Sequence, residues 1–370
     1  MSAFDVCVQG SGPVGMCLAL ALSRQGLQVA WCRRPPAGAT RADDVRTYAL
    51  SATSVELLTQ LKIWAHLPPD SRTAVTHMQV QGDAPGAALE FSAAAQGLDL
   101  LTWIVDAQEL ERSLQAALQF AAHVQAVDAE VPAALQALAE GREGSGRAQR
   151  GIDVRQRRCG QRAVATRLVA ERAHQGIARQ WFRSPDVLAL LPFDRPEAGK
   201  SYGLVWSVPD SRAGELMALD DAAFEGELHQ ATGGAAGQLR LAAPRASWPL
   251  LHARAEPLCG PGWVLLGDAA HVVHPLAGQG LNLGLADVQA LARTLASREA
   301  FRSVGDEKLL RRYARARHWP VQAMSQLTDG LLELFAHPHP LARELRNRGL
   351  TLLNGLTPVK RFLTQQALRS

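Results

Sequence analysis

An apolar run, Phe4 to Gln9, leads directly into Gly10-Ser11-Gly12-Pro13-Val14-Gly15 and then into a helical stretch over 14–25. This junction constrains the fold more than any other feature. Gly10 permits a tight turn, Gly12 lets bare backbone approach a pyrophosphate, and Gly15 lets the helix lie close to its strand. An anion at that point sits on a helix N-terminus, where unpaired N–H groups and the helix dipole favour negative charge. Leu27 to Cys32 reads as a second strand, so the chain opens βαβ and predicts a parallel sheet covered by helices. Taken alone, the turn leaves NAD, NADP and FAD open, and a glycine-rich turn without a ligand is the plain alternative.

The acid expected about 20 residues after such a turn, to hold a ribose hydroxyl, is missing. The second strand ends Val29-Ala30-Trp31-Cys32-Arg33-Arg34, with Arg33 in the acidic position. An arginine there is compatible with a 2′-phosphate, hence NADP, and equally with a weaker hold on the adenosine end of FAD. Arg33 and Arg34 also read as ordinary solvated charges.

Bulk properties exclude several classes. The 370 residues exceed a single small core, and one large or two interleaved domains are expected. The net charge is only +4, with Lys62, Lys200, Lys308 and Lys360 the sole lysines, so nothing calls for nucleic acid. Five cysteines with no CxxC pair fit a reducing cytoplasm better than a disulfide framework or zinc site. The N-terminus lacks a signal-peptide pattern, and no apolar stretch approaches the ~20 residues of a membrane span. A cytoplasmic location follows as the expectation.

Along the chain, Ser51 to Leu61 and Ala107 to Phe120 read as amphipathic helices. Gln79–Val80 and Ala88–Phe91 read as a hairpin around GDAPG. Residues 124–150 are rich in Ala, Gly and Arg, and EGREGSGR reads as a loop with shortened strands before it. From 152 to about 250, short strands alternate with turns (Val164–Ala170, Ile177–Phe182, Val187–Pro192, Tyr202–Val208), which predicts an antiparallel second domain. Gly262–Gly267 returns to a buried strand. A helix follows to Ala296 with Leu281, Leu285, Val288, Leu291 and Leu295 on one face.

The stretch WVLLGDAAHVVHPLAGQGLNLGLADVQAL narrows the cofactor. It delivers Gly267-Asp268 at the C-terminal end of a strand, where open α/β sheets bind ligands. Asp268 can accept hydrogen bonds from a ribityl chain. The turn Pro275 to Gly280 brings bare backbone to a helix start near Leu281, suited to the negative charge that develops at N1/O2 of a reduced flavin.

From Gly267 to Asp287 the segment resembles the second FAD motif of the flavoprotein aromatic hydroxylases, the class of para-hydroxybenzoate hydroxylase. It is most similar to the ubiquinone-biosynthesis hydroxylases that act on polyprenyl phenols. Arg46-Thr47-Tyr48-Ala49-Leu50-Ser51 resembles the family segment whose arginine reaches the flavin, and the runs Thr328–Leu331 and Arg346–Leu350 are similar too. Glu140 to Arg147 resembles the family's Asp-Gly motif, with Glu in place of Asp.

The resemblance implies an α/β chain: a Rossmann-like FAD-binding domain, an interleaved antiparallel β-sheet substrate domain, and C-terminal helices. The expected division is 1–70, 97–150 and 255–335 for FAD, 71–96 and 151–254 for substrate, and 336–370 as a helical end. FAD would be held by Gly10, Gly12, Pro13, Gly15, Arg46, Asp268, Pro275, Gly278, Gly280, Leu281 and Asn282. The implied reaction is hydroxylation of a phenol ring through a flavin C4a-hydroperoxide, with NAD(P)H as electron donor and O2 as co-substrate. The cofactor carries that chemistry, so no catalytic side chain is named. The alternative is a non-catalytic accessory of a ubiquinone-biosynthesis complex.

Remaining residues are weighed against simpler roles. His271 and His274 are three apart, but no third ligand is evident, and His271 reads as packed and hydrogen-bonded rather than metal-bound. Trp206, Trp248 and Phe193 are candidates for a substrate cavity, although aromatics in a β domain are usually core. Arg343, Arg346, Arg348, Lys360, Arg361 and Arg369 accompany Leu341, Leu345, Leu352, Leu353, Val359 and Phe362. Such a face suits either core packing or peripheral contact with the inner membrane.

Overall fold

The computed structural model describes residues 3–33, 44–82, 88–273 and 279–336, with side chains through Gln326 and at Gly330. Phe4–Gln9 forms the centre of a six-stranded sheet in the order 259–260, 263–265, 133–138, 4–9, 29–32, 124–127. All neighbours are parallel except Cys259–Gly260, which turns back on Trp263–Leu265. Val6, Cys7 and Val8 are fully buried, as a strand covered on both faces requires. The Pro13–Ser23 helix is buried on nearly every side and crosses to Val29–Cys32. It stops short of residue 25 because Gly26, at φ +78°, turns the chain.

Residues 124–150, rich in Ala, Gly and Arg, contribute to this sheet. Val124–Val127 and Ala133–Leu138 are sheet strands, and the second lies between the first strand and 263–265. Ala133-Ala134-Leu135-Gln136-Ala137-Leu138 has weak strand propensity. Burial between two partners overrides it, with Leu135, Ala137 and Leu138 fully enclosed.

The second sheet has nine strands built around Asp153–Ala170, an 18-residue strand with a register shift between Arg158 and Arg162. Most pairings are antiparallel, as expected, but the hairpin 77–81/88–92 joins by a parallel pairing of Ile177 with His77. Between Pro209 and Leu239, where strands and turns were expected, Asp210–Ala218 and Asp221–Thr232 are helices. They bury Ala213, Leu216, Phe224 and Leu228 against Trp181, Tyr202 and Trp206. The Asp220 carboxylate caps the second by accepting from the Ala223 N–H at 2.8 Å. A three-stranded sheet (47–50, 102–106, 72–75) joins the two halves. Gly280–Ala296 packs on Pro13–Ser23, and Glu307–Ala336 packs on Gly280–Ala296. Leu285, Val288, Leu291 and Leu295 enter the main core, with Leu281 packed at its margin.

Candidate functional site

The three glycines of the first turn do different work. Gly10 holds φ +147°, and a Cβ there would lie 2.2 Å from the Ala139 carbonyl oxygen. A Cβ on Gly15 would meet the Gly10 carbonyl oxygen at 2.4 Å. Both are glycine because backbone meets backbone. Gly12 is ordinary extended backbone, and a Cβ there would meet nothing within 4 Å. It is the glycine whose outer side is left open, as a pyrophosphate on the helix N-terminus requires. Pro13 occupies the first helical turn, where its missing N–H has no intrahelical role. Trp31 Nε1 donates to the Gly10 carbonyl at 3.0 Å and fixes the turn from the second strand.

Arg33 Nη2 lies 3.2 Å from Asp128 Oδ1, both groups largely exposed. A guanidinium has donors only and cannot accept from ribose hydroxyls. Beside it, a cavity of about 260 Å3 is lined by Gln9, Cys32, Ala129, Glu130, Glu140, Ser145 and Gln149, at the C-terminal ends of the parallel strands. Glu140 Oε2 accepts from the Gly146 N–H at 2.8 Å and closes the loop expected from EGREGSGR, which contains a short helical turn at 146–149. The buried Arg147 carries this loop to the second motif, donating to Ala269 O at 3.1 Å and to Arg142 O.

In that second motif, Gly267 adopts φ +59° and sends Asp268 into a tight turn that ends at Ala269. Asp268 reaches solvent, yet the surrounding protein desolvates its carboxyl and pushes it above the usual range, with His271, Arg142, Arg46 and Arg147 opposing the shift. A Cβ on Gly284 would meet Val14 Cγ2 at 2.6 Å and Gly267 Cα at 3.3 Å, so the two motifs touch. The Gly280–Ala296 helix starts without a side-chain cap, leaving the first-turn N–H groups of Gly280, Leu281 and Asn282 without helical partners. Pro275, Gly278 and His274 lie outside the described residues.

The Asn282 side chain takes a role that its position in the motif does not announce. Its Oδ1 accepts from Ser51 N (3.0 Å) and Ser54 Oγ (2.8 Å), and its Nδ2 donates to Ala49 O (2.9 Å) and Gln279 Oε1 (3.0 Å). All four hydrogen-bonding positions of the amide are used within the protein, leaving its backbone N–H for a ligand. The side chain thereby ties the helix start to the 46–51 segment. Arg46 in that segment is half-exposed, paired with Asp44 at 2.6 Å and 5.9 Å from the Tyr48 ring centre. Burial pushes the Tyr48 phenol up to about 12.

Sequence reading missed Asp287 as a functional position. The fully buried carboxylate receives Gly267 N–H (2.9 Å), His271 Nε2 (2.8 Å) and Arg317 Nε (2.6 Å). Burial works to raise its pKa, but His271 and Arg317 outweigh it and hold the group below the usual range. His271 is thus the packed, hydrogen-bonded residue expected. The available signal was the polar Asp287 on an otherwise apolar helix face. Trp206 and Phe193 are core: Trp206 packs toward Phe224, and Phe193 lies with Val75 and Ile104. Trp248 is half-buried opposite Ala163.

The chain matches the family described as FAD binding domain over residues 3–136 and 121–328. The chain belongs to that family. FAD is accordingly its cofactor, and the chain is an oxidoreductase of the flavoprotein hydroxylase group. It is 30% identical to ubiquinone hydroxylase UbiL of Rhodospirillum rubrum, over 98% of this chain and 89% of that protein. It is 28% identical to 3-demethoxyubiquinol 3-hydroxylase of Escherichia coli, over 98% of each. Among solved structures, p-nitrophenol 4-monooxygenase PnpA of Pseudomonas putida superposes with TM-score 0.77 at 15% identity, over 99% of this chain and 98% of that one. PqsL of P. aeruginosa in complex with 2-aminobenzoylacetate gives 0.76 at 21%, over 94% and 99%. These two likenesses show the fold. A non-catalytic accessory role, the alternative from sequence, finds no support in these relatives.

Proposed function

We propose that this flavoprotein hydroxylates the ring of a polyprenyl phenol in ubiquinone biosynthesis, with NAD(P)H as donor. The observation that carries the reading is the meeting of two helix N-termini at the Gly267–Asp268 turn, in a chain similar over almost its full length to ubiquinone hydroxylases. FAD supplies the redox and oxygen-transfer chemistry when bound. The chain's own part is placement. Gly10, Gly12, Pro13 and Gly15 receive the pyrophosphate, and Asp268 accepts from the ribityl hydroxyls. The N–H groups of Gly280, Leu281 and Asn282 face the pyrimidine end of the ring, where their dipole favours negative charge. Arg46 stands at the junction of the sheets, with Arg167 of the second sheet donating to Asp44 O at 3.0 Å. The division into 1–70, 97–150 and 255–335 against 71–96 and 151–254 then separates cofactor from substrate; 337–370 lie outside the described residues.

The purified protein is expected to be yellow, to bind one FAD, and to oxidise NAD(P)H faster when a polyprenyl phenol is added, with hydroxylated product by mass spectrometry. Stimulated oxidation without product would reduce the reading to a flavin reductase; no FAD uptake would end it. Asp268→Ala is expected to weaken FAD by tenfold or more, on the order of one charge-assisted hydrogen-bonding group; unchanged affinity removes its ribityl role. Peripheral membrane contact and membership of a biosynthetic complex extend the reading. Their support is the basic, apolar 341–369 sequence, outside the described residues, and co-sedimentation with anionic vesicles tests the first. No helix among the described residues is long and apolar enough to cross a membrane.

A further inference from the structure

Asp287 touches neither of the surfaces assigned to FAD, yet it holds the turn that presents one of them. Its Oδ2 receives both the Gly267 N–H and His271 Nε2, while Oδ1 receives Arg317 Nε at 2.6 Å. A carboxylate only accepts, so His271 donates from Nε2. Arg317 lies on the Glu307–Ala336 helix and also donates Nη2 to Leu283 O at 3.2 Å. One turn earlier on the same face, Tyr313 OH donates to Leu265 O at 2.9 Å. Asp287, Tyr313, Arg317 and His271 are all buried. The C-terminal helix therefore grips both the end of the 263–265 strand and, through Asp287, the residue that precedes Asp268.

The arrangement has a physical reason. Gly267 holds a left-handed conformation at φ +59°, which opens the strand into the turn. Its N–H points to a carboxylate fixed by two further donors, His271 on the same oxygen and Arg317 on the other, so the turn cannot swing without breaking a buried, charge-assisted bond. A buried carboxylate also needs compensation, and Arg317 supplies the full positive charge from a separate element.

We infer that Asp287 and Arg317 are positioning residues that set FAD affinity through Asp268, so that the Glu307–Ala336 helix is a working part of the cofactor site. This rests on the ribityl role proposed for Asp268. A double-mutant cycle tests it, with FAD dissociation constants from fluorescence titration of apoprotein and folding checked by circular dichroism. Asp287→Asn keeps the shape and an acceptor oxygen but removes the charge. It is expected to weaken FAD about tenfold in the parent and less than about twofold beside Asp268→Ala, because coupled neighbours are not additive.

Equal losses in both backgrounds, or no loss in the parent, overturn the inference. An Asp268→Ala variant that binds FAD normally overturns the underlying reading instead, and is read from that variant alone. Should Asp287→Asn not fold, Arg317→Lys gives the same comparison. It keeps the charge but loses the forked contact to Asp287 and Leu283, and the same two outcomes decide.

Discussion

Three glycines within six residues make a residue-scale case in which identical residues answer different demands. Gly10 and Gly15 are glycine for the fold, since a Cβ on either meets a carbonyl oxygen at 2.2 or 2.4 Å. Gly12 opens onto space and, in the proposed reading, is glycine for the ligand. Gly15→Val is therefore expected to cost about 1–3 kcal/mol or more of stability, as overpacking does. Gly12→Val should leave the melting temperature of apoprotein nearly unchanged while FAD affinity falls. Thermal melts with and without FAD separate the two, and a destabilised Gly12→Val apoprotein would contradict the assignment. Both positions were legible as glycines of a phosphate turn. Gly12 as the glycine facing the phosphate was legible too; the close approach of the Ala139 carbonyl to Gly10 was not, because it comes from a distant segment.

Asp106 shows at the scale of elements how one residue serves a helix and a junction together. It caps Ala107–Gln119 by accepting from Gln108 N (2.9 Å) and Glu109 N (3.2 Å). It also pairs with Arg167 of the second sheet at 3.0 Å and faces Arg195 at 3.7 Å. Asp106→Ala removes the cap, worth about 1 kcal/mol, and strands a largely buried guanidinium, for a loss of about 3 kcal/mol or more. Urea unfolding should show this, and a loss near the cap value alone would mean that the ion pair contributes nothing. The sequence announced the helix through its amphipathic spacing, but not the pairing. Similarly, the composition of Ala133–Leu138 favours helix, and the strands flanking it on both sides hold it extended.

Acid sensitivity belongs to the whole molecule, because the Asp287 cluster joins the strand end, the second-motif helix and the C-terminal helix. An unfolded aspartate titrates near about 3.9, and the folded Asp287 lies below its usual range. Its contribution is thus fully present above the unfolded value and is lost as pH falls through the folded one. Unfolding free energy is expected to drop steeply below about pH 4, and less steeply in Asp287→Asn; equal slopes would show that other carboxylates dominate.

The βαβ opening and the antiparallel middle were readable from residue order through local rules, glycine geometry and strand and helix periodicities, whereas the flavin-type second motif and the identity of the cofactor followed from the resemblance carried by Gly267–Asp287. The tertiary structure alone decided the rest. Arg33 meets Asp128 on a neighbouring strand end, a pairing that neither residue's place in the sequence announces. Asn282 spends its side chain on the 49–54 segment. The Gly10–Gly15 turn lies against the Ala139 carbonyl, at the end of the strand paired with Phe4–Gln9. Hydrogen bonds and ion pairs between residues far apart in sequence leave no periodic trace, since either partner looks like an ordinary polar residue until packing brings the other to it.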